Sequence, residues 1–126
     1  MVDNKKERLT MDNKWIDTEL FNFILDHYES YGEMPKAFIS GAISGRMNSY
    51  KSYFDEAVDH FREIYIESYN PSVIDIRTPW ETAMEETLSQ LRKCDFMYVL
   101  KNWEDSKGVK IEIERAKELD IPIFYE

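Results

Sequence analysis

Two segments of this 126-residue chain carry residue types able to do chemistry. The first is Phe38-Ile39-Ser40-Gly41-Ala42-Ile43-Ser44-Gly45, whose small side chains let backbone N–H groups approach a phosphate or a sugar, with Arg46 nearby. A Gly pair without dinucleotide or P-loop spacing reads equally well as a tight strand-to-helix turn that holds no ligand. The second is Glu112. Placed at roughly 100° per residue, Val109, Ile113, Ala116 and Leu119 form the inward face of a helix, and Lys110, Glu114, Lys117 and Glu118 point outward. Glu112 falls between Ala116 and Leu119 on the inward side. A carboxylate there is partly desolvated and its pKa rises, unless the helix start or an escape to the rim relieves it.

Other chemistries fit poorly. His27 and His60 are far apart and lack a Cys or acidic ligand pattern, so no metal and no cofactor is expected. Neither Ser40 nor Ser44 has a His base nearby in sequence, which weakens a serine hydrolase reading. Trp80 and Trp103 flank the expected cleft, where ordinary packing accounts for both.

The elements that must position these residues alternate between helix and strand. Trp15, Ile16, Leu20, Phe23, Ile24 and Tyr28 give an amphipathic helix from Trp15 to Tyr31, ended by Gly32 and Pro35 after a polar tail of about 13 residues. Ala37-Phe38-Ile39 reads as a strand, and Tyr50, Tyr53, Phe54, Ala57, Val58 and Phe61 mark a helix capped by Asn48 or Ser49. A strand at about Tyr65 to Tyr69 closes at Asn70-Pro71. Thr78-Pro79-Trp80-Glu81 announces a helix with a capping Thr and an inward stripe of Trp80, Met84, Leu88 and Leu91. Phe96 to Leu100, a helix from Lys107 to Leu119 and a strand Ile121 to Tyr125 complete the chain. The expectation is a three-layer flavodoxin-like or Rossmann-like α/β fold. It has a parallel sheet of four to five short strands within a domain over residues 36–126, and residues 1–35 hold the polar tail and an extra N-terminal helix. Ligands of such sheets bind beyond the carboxyl ends of the strands.

Composition narrows the partners. A net charge of -9 argues against nucleic acid, although one Arg and a few N–H groups can still hold a small phosphorylated ligand. The 43% hydrophobic content suffices for one core. The N-terminal residues lack an apolar h-region, no stretch approaches the roughly 18 apolar residues of a membrane span, and the single Cys94 suits a reducing cytoplasm.

Taken together, several segments resemble the nucleoside 2-deoxyribosyltransferase superfamily, in particular its small phage and bacterial branch, and the related 2′-deoxynucleoside 5′-phosphate N-hydrolases. They are the 38–45 loop, Asn48 with Phe54-Asp55-Glu56-Ala57, Asn70-Pro71, Cys94-Asp95, and Trp103-Glu104-Asp105-Ser106-Lys107-Gly108 leading to Glu112. The similarity covers about Lys36 to Glu126 and leaves the N-terminal helix outside. It implies cleavage or transfer at the N-glycosidic bond of a nucleoside or nucleotide, with Glu112 as nucleophile and Asp105 assisting proton transfer or positioning the sugar. The loop residues Ser40, Gly41, Ser44, Gly45 and Arg46 would hold the ribose or a 5′-phosphate. Asn70, Trp80, Thr87, Trp103, Ser106 and Gly108 would complete the substrate site. One departure stands out: relatives carry an Asp about eight residues before the position of Asp95, where this chain has Thr87. The chain also stops directly after the last strand, so sharing of sites between subunits is not expected. Three readings follow: an N-glycosidase or deoxyribosyltransferase, a catalytically silent nucleotide-binding module, and a homo-oligomer assembled through the N-terminal helix.

Overall fold

The computed structural model describes residues 15–43 and 50–126. The expected polar tail and the Asn48 or Ser49 cap lie outside the described residues. Helix α1, Thr18–Tyr31, opens on Asp17, whose carboxylate accepts from the Leu20 N–H at 2.8 Å, and closes on Gly32 at φ 75°. Such a left-handed turn suits glycine because it has no Cβ.

Strand β1, Ala37–Ser40, is buried along its whole length. Helix α2, Tyr50–Glu63, buries Tyr50, Phe54, Ala57 and Phe61, four of the six residues expected on its inward face, and leaves Tyr53 and Val58 half-buried. Strand β2 is only Ser68–Tyr69, shorter than the expected run from Tyr65. Tyr65 takes φ 65°, and the Ile66 N–H returns to the Phe61 carbonyl at 2.9 Å. Residues 64–66 therefore reverse the end of α2, and Ile64 and Ile66 serve packing rather than strand pairing while Tyr65 is exposed.

A 3₁₀ turn, Pro71–Val73, follows, capped by Asn70. Helix α3, Trp80–Leu91, departs from the expected start: its cap is Pro79, which has no side-chain acceptor, while the Thr78 N–H bonds the Asp75 carbonyl in the preceding turn. Trp80 is 45% exposed rather than inward. The buried residues of α3 are Thr87 and Leu91 in its second half, whereas Trp80 in the first turn meets the Lys107 ammonium, 5.0 Å from its ring centroid.

Strand β3, Phe96–Val99, is followed by helix α4, Lys107–Glu118, and strand β4, Ile123–Tyr125. Leu119, expected inward, is 37% exposed. The helix has already ended there: Asp120 takes φ 56° and the Ile121 N–H bonds the Ala116 carbonyl at 2.9 Å, which turns the chain away and delays β4 to Ile123.

The strands form one all-parallel sheet in the order β2-β1-β3-β4. Alternation along β1 and β3 sends Ala37, Ile39, Phe96 and Tyr98 into a core with Leu20 and Ile24 of α1 and Phe54, Ala57 and Phe61 of α2. Phe38, Met97 and Val99 face the other side, into a core with Leu91 of α3 and Val109, Ile113 and Ala116 of α4. This is a three-layer α/β fold of flavodoxin-like order, in which α1 is an integral part of one helical layer. Cys94 is buried as a small hydrophobe, and burial pushes its thiol up to about 11. Among the described residues, no helix is long and apolar enough to cross a membrane.

Strand order reverses at β1, because the chain moves outward to β2 and then crosses back to β3 on the other side. Ser40, the last residue of β1, pairs with Val99 of β3. The crevice above that pair is the place where open α/β sheets receive ligands.

Candidate active site

Ser40 is on the same face of β1 as Phe38, facing α3 and α4, and is fully buried. Helix α4 is started by Ser106, whose hydroxyl accepts from the Val109 N–H at 3.2 Å, and its apolar stripe seats it on the sheet. That seating drives Glu112 inward to 6% exposure, as its helical position requires. The Ser40 hydroxyl donates to Glu112 Oε1 at 2.6 Å, across 72 positions of sequence. This is the length of a charge-assisted bond.

Thr87 reaches the same carboxyl from α3 and is 5% exposed. Its hydroxyl also sits 3.2 Å from the Met84 carbonyl, so its one proton serves either the helix or Glu112. Burial pushes Glu112 from the ordinary 4.5 up to about 7, against the pull of Ser40 and Thr87, which favour the ionised form. Both of these supporting groups are neutral hydroxyls, and neither cancels the charge. The result is a fixed carboxylate that exchanges its proton near neutrality, as a nucleophile or base requires.

Tyr69 is a member of this site that the residue pattern does not single out. It ends β2 in register with Phe38, and the two rings stack with centroids 5.5 Å apart and planes 19° apart. Burial, then Glu86 and Glu112, push its phenol up to about 12, so both carboxylates lie within electrostatic reach. A signal was present in sequence: Tyr69 is the last residue of an expected strand, where a side chain borders the carboxyl edge.

The remaining expected residues are spread around this centre. Gly41 follows Ser40, and a Cβ there would lie 3.0 Å from Leu100 Cδ1 and from Phe54 Cζ, so its smallness already serves packing against the core. Gly108 is roomier: a Cβ there would lie 3.4 Å from Met84 Sδ, an ordinary contact. Asn70 is committed locally: its Oδ1 accepts from the Ser72 N–H and its Nδ2 donates to Asp55. Trp103 is half-buried against the α3/α4 core with its ring 5.7 Å from that of Tyr125. Asp105 is exposed, one residue before the α4 cap. Ser44, Gly45 and Arg46 lie outside the described residues.

Two hollows are present among the described residues. One, of about 460 Å³, is lined by Phe23, His27, Tyr31 and Asp95 among others, and one of about 600 Å³ lies between α2 and the β2 edge, lined in part by Tyr69 and Asn70. Neither includes Glu112. Among the described residues, no group of three or more His, Cys, Asp or Glu is placed to hold a metal ion.

No curated protein matches the chain. A family model described as a domain of unknown function, DUF4406, matches residues 35–125, from just before β1 through β4 and including Ser40, Tyr69, Thr87 and Glu112. The chain belongs to the DUF4406 family.

Proposed function

We propose that this protein cleaves or transfers at the N-glycosidic bond of a (deoxy)nucleoside or nucleoside monophosphate, with Glu112 as the nucleophile. The observation that carries this reading is a buried glutamate at the carboxyl edge of a parallel sheet, held at 2.6 Å by the Ser40 hydroxyl and titrating near neutrality. The resemblance of the segments from Ser40 to Glu112 to nucleoside 2-deoxyribosyltransferases supports it.

In this mechanism the ionised Glu112 attacks the anomeric carbon as an oxocarbenium-like transition state forms. The base departs, a glycosyl-enzyme ester remains, and water or a second base resolves it with net retention. The Ser40 and Thr87 hydroxyls orient the carboxylate and support its charge before attack. Asp105 stands as a candidate for positioning the sugar, and the loop through Arg46 for a 5′-phosphate. A cytoplasmic setting and self-assembly belong to the same proposal.

The test is incubation with a panel of nucleosides, nucleoside monophosphates and NAD, with chromatography for free base. Wild-type protein is expected to release base, and Glu112→Ala to lower that release by a factor on the order of 10³ or more while keeping its fold. Undiminished release in the variant rejects Glu112 as nucleophile. A second reading, a silent nucleotide-binding module, is favoured by Thr87 standing where many members of the superfamily that the chain resembles would carry an Asp. It expects thermal stabilisation by a nucleotide with no base released.

A further inference from the structure

A carboxylate nucleophile at a sugar does only half of the chemistry, because the departing base must receive a proton or a strong hydrogen bond. The hydroxyls nearest Glu112 are poorly suited to give one. Ser40 is fully buried and donates to Glu112 itself, and the Thr87 proton is divided between Glu112 and the Met84 carbonyl. Asp105, exposed before the α4 cap, has no hydrogen bond to another described residue that would fix its direction.

Tyr69 has the missing properties. Its ring is held flat against the buried Phe38, in register with it, two residues before Ser40 on the same face of the sheet. It is half-buried, and among the described residues its hydroxyl has no hydrogen-bond partner. It is thus a positioned donor with its proton uncommitted, at the carboxyl end of β2 and within electrostatic reach of Glu112.

We propose that Tyr69 is the proton donor to the departing base, an inference that rests on the glycosidic reading above. The bond from Glu112 oxygen to the anomeric carbon forms while the carbon–nitrogen bond breaks, and its electron pair stays on the base. The Tyr69 hydroxyl proton passes to that base. The phenolate left behind then takes a proton from the water that resolves the glycosyl ester, which returns Glu112 as a carboxylate and Tyr69 as a phenol. Electrostatics assist the sequence: Glu112 helps to hold the proton on Tyr69, and once Glu112 is esterified that contribution vanishes, so the phenol becomes more acidic as its proton is needed.

The experiment compares Tyr69→Phe with wild type on purine nucleosides and monophosphates, each paired with its 7-methylated form. A 7-methylated purine carries a positive charge and leaves as a neutral base without protonation. Phenylalanine keeps the ring stacked on Phe38 and removes only the hydroxyl. The expected result is a loss of roughly 10²–10⁴-fold on the unmethylated substrates, with the methylated partners, corrected for spontaneous release, changed by only a few-fold. Glu112→Ala is expected to lose both. An equal loss on both members of each pair, or no loss on either, overturns the role of Tyr69 while leaving the glycosidic reading intact. Wild-type protein that releases base from no member of the set overturns that reading and this inference with it.

Discussion

Two acidic side chains mark opposite edges of the sheet and are treated differently by the fold. Asp95, just before β3, leaves its side chain 45% exposed, and its Oδ2 accepts from the Lys36 N–H at 2.8 Å while the backbones of the two residues also bond at 2.8 Å. His27 Nε2 stands 3.7 Å from Oδ1. Here a carboxylate fastens the entries of two neighbouring strands and keeps access to water, a use that costs little. Glu112 at the carboxyl edge has only neutral hydroxyls for support and is almost completely buried. A fold that only needed to close its core would place an apolar residue there, so the Glu112 edge has surrendered stability and the Asp95 edge has not.

The largest expected effect tests that claim directly. Glu112 has a folded pKa of about 7 against an ordinary 4.5, so between those values the unfolded chain releases a proton that the folded chain retains. Stability therefore falls as pH rises from about 4.5 to about 7 and then levels. Glu112→Gln removes the titration, and its stability relative to wild type is expected to rise by about 3 kcal/mol across that window. Denaturant unfolding at pH 4 and pH 8 measures it, and a pH-independent difference breaks the comparison. Base release by wild type should show the opposite trend, increasing with pH through about 7 as the nucleophile ionises.

Ser40→Ala comes next. It removes a bond that favours the ionised carboxylate, so the Glu112 pKa rises further and the midpoint of the pH–rate profile moves upward. Above that midpoint the variant should be less stable by roughly 1.5–3 kcal/mol, the usual worth of a hydrogen bond to a charged group. The smallest effect is expected at the other edge. Asp95→Ala should cost about 1 kcal/mol, with base release unchanged within a few-fold. A loss of release comparable to that of Glu112→Ala would show that the two edges are not functionally distinct.

Much of the architecture was legible because it depends on local periodicity. The strand and helix alternation from Ala37 onward, most of the buried stripe of α2 and the stop at Gly32 all emerged as expected. The failures share a cause. Tyr65 and Asp120 take left-handed conformations usually left to glycine, and each turns the chain after a helix, so that the strands expected from Tyr65 and Ile121 begin only at Ser68 and Ile123. Trp80 and Leu119 keep the helical period, yet one lies in the first turn of α3 and the other at the end of α4. Gly41 looked like a place for a ligand to approach, whereas Leu100 and Phe54 already approach it. Glu126 carried no signal at all, although its carboxylate accepts from the Tyr53 hydroxyl and the Lys101 N–H.

The sequence by itself determined that Glu112 faces inward, since a residue's side of a helix follows from the spacing of its apolar neighbours. It also placed Ser40 directly after the first strand, which the structure extends by one residue to include it. Only the tertiary structure decided that these two meet, that Thr87 joins them from a third element, and that Tyr69 comes within electrostatic reach of Glu112. The reason is physical: periodicity says which face a side chain occupies, but its neighbours across that face depend on strand order. Placing β1 between β2 and β3 is a choice made by the packing of the whole chain.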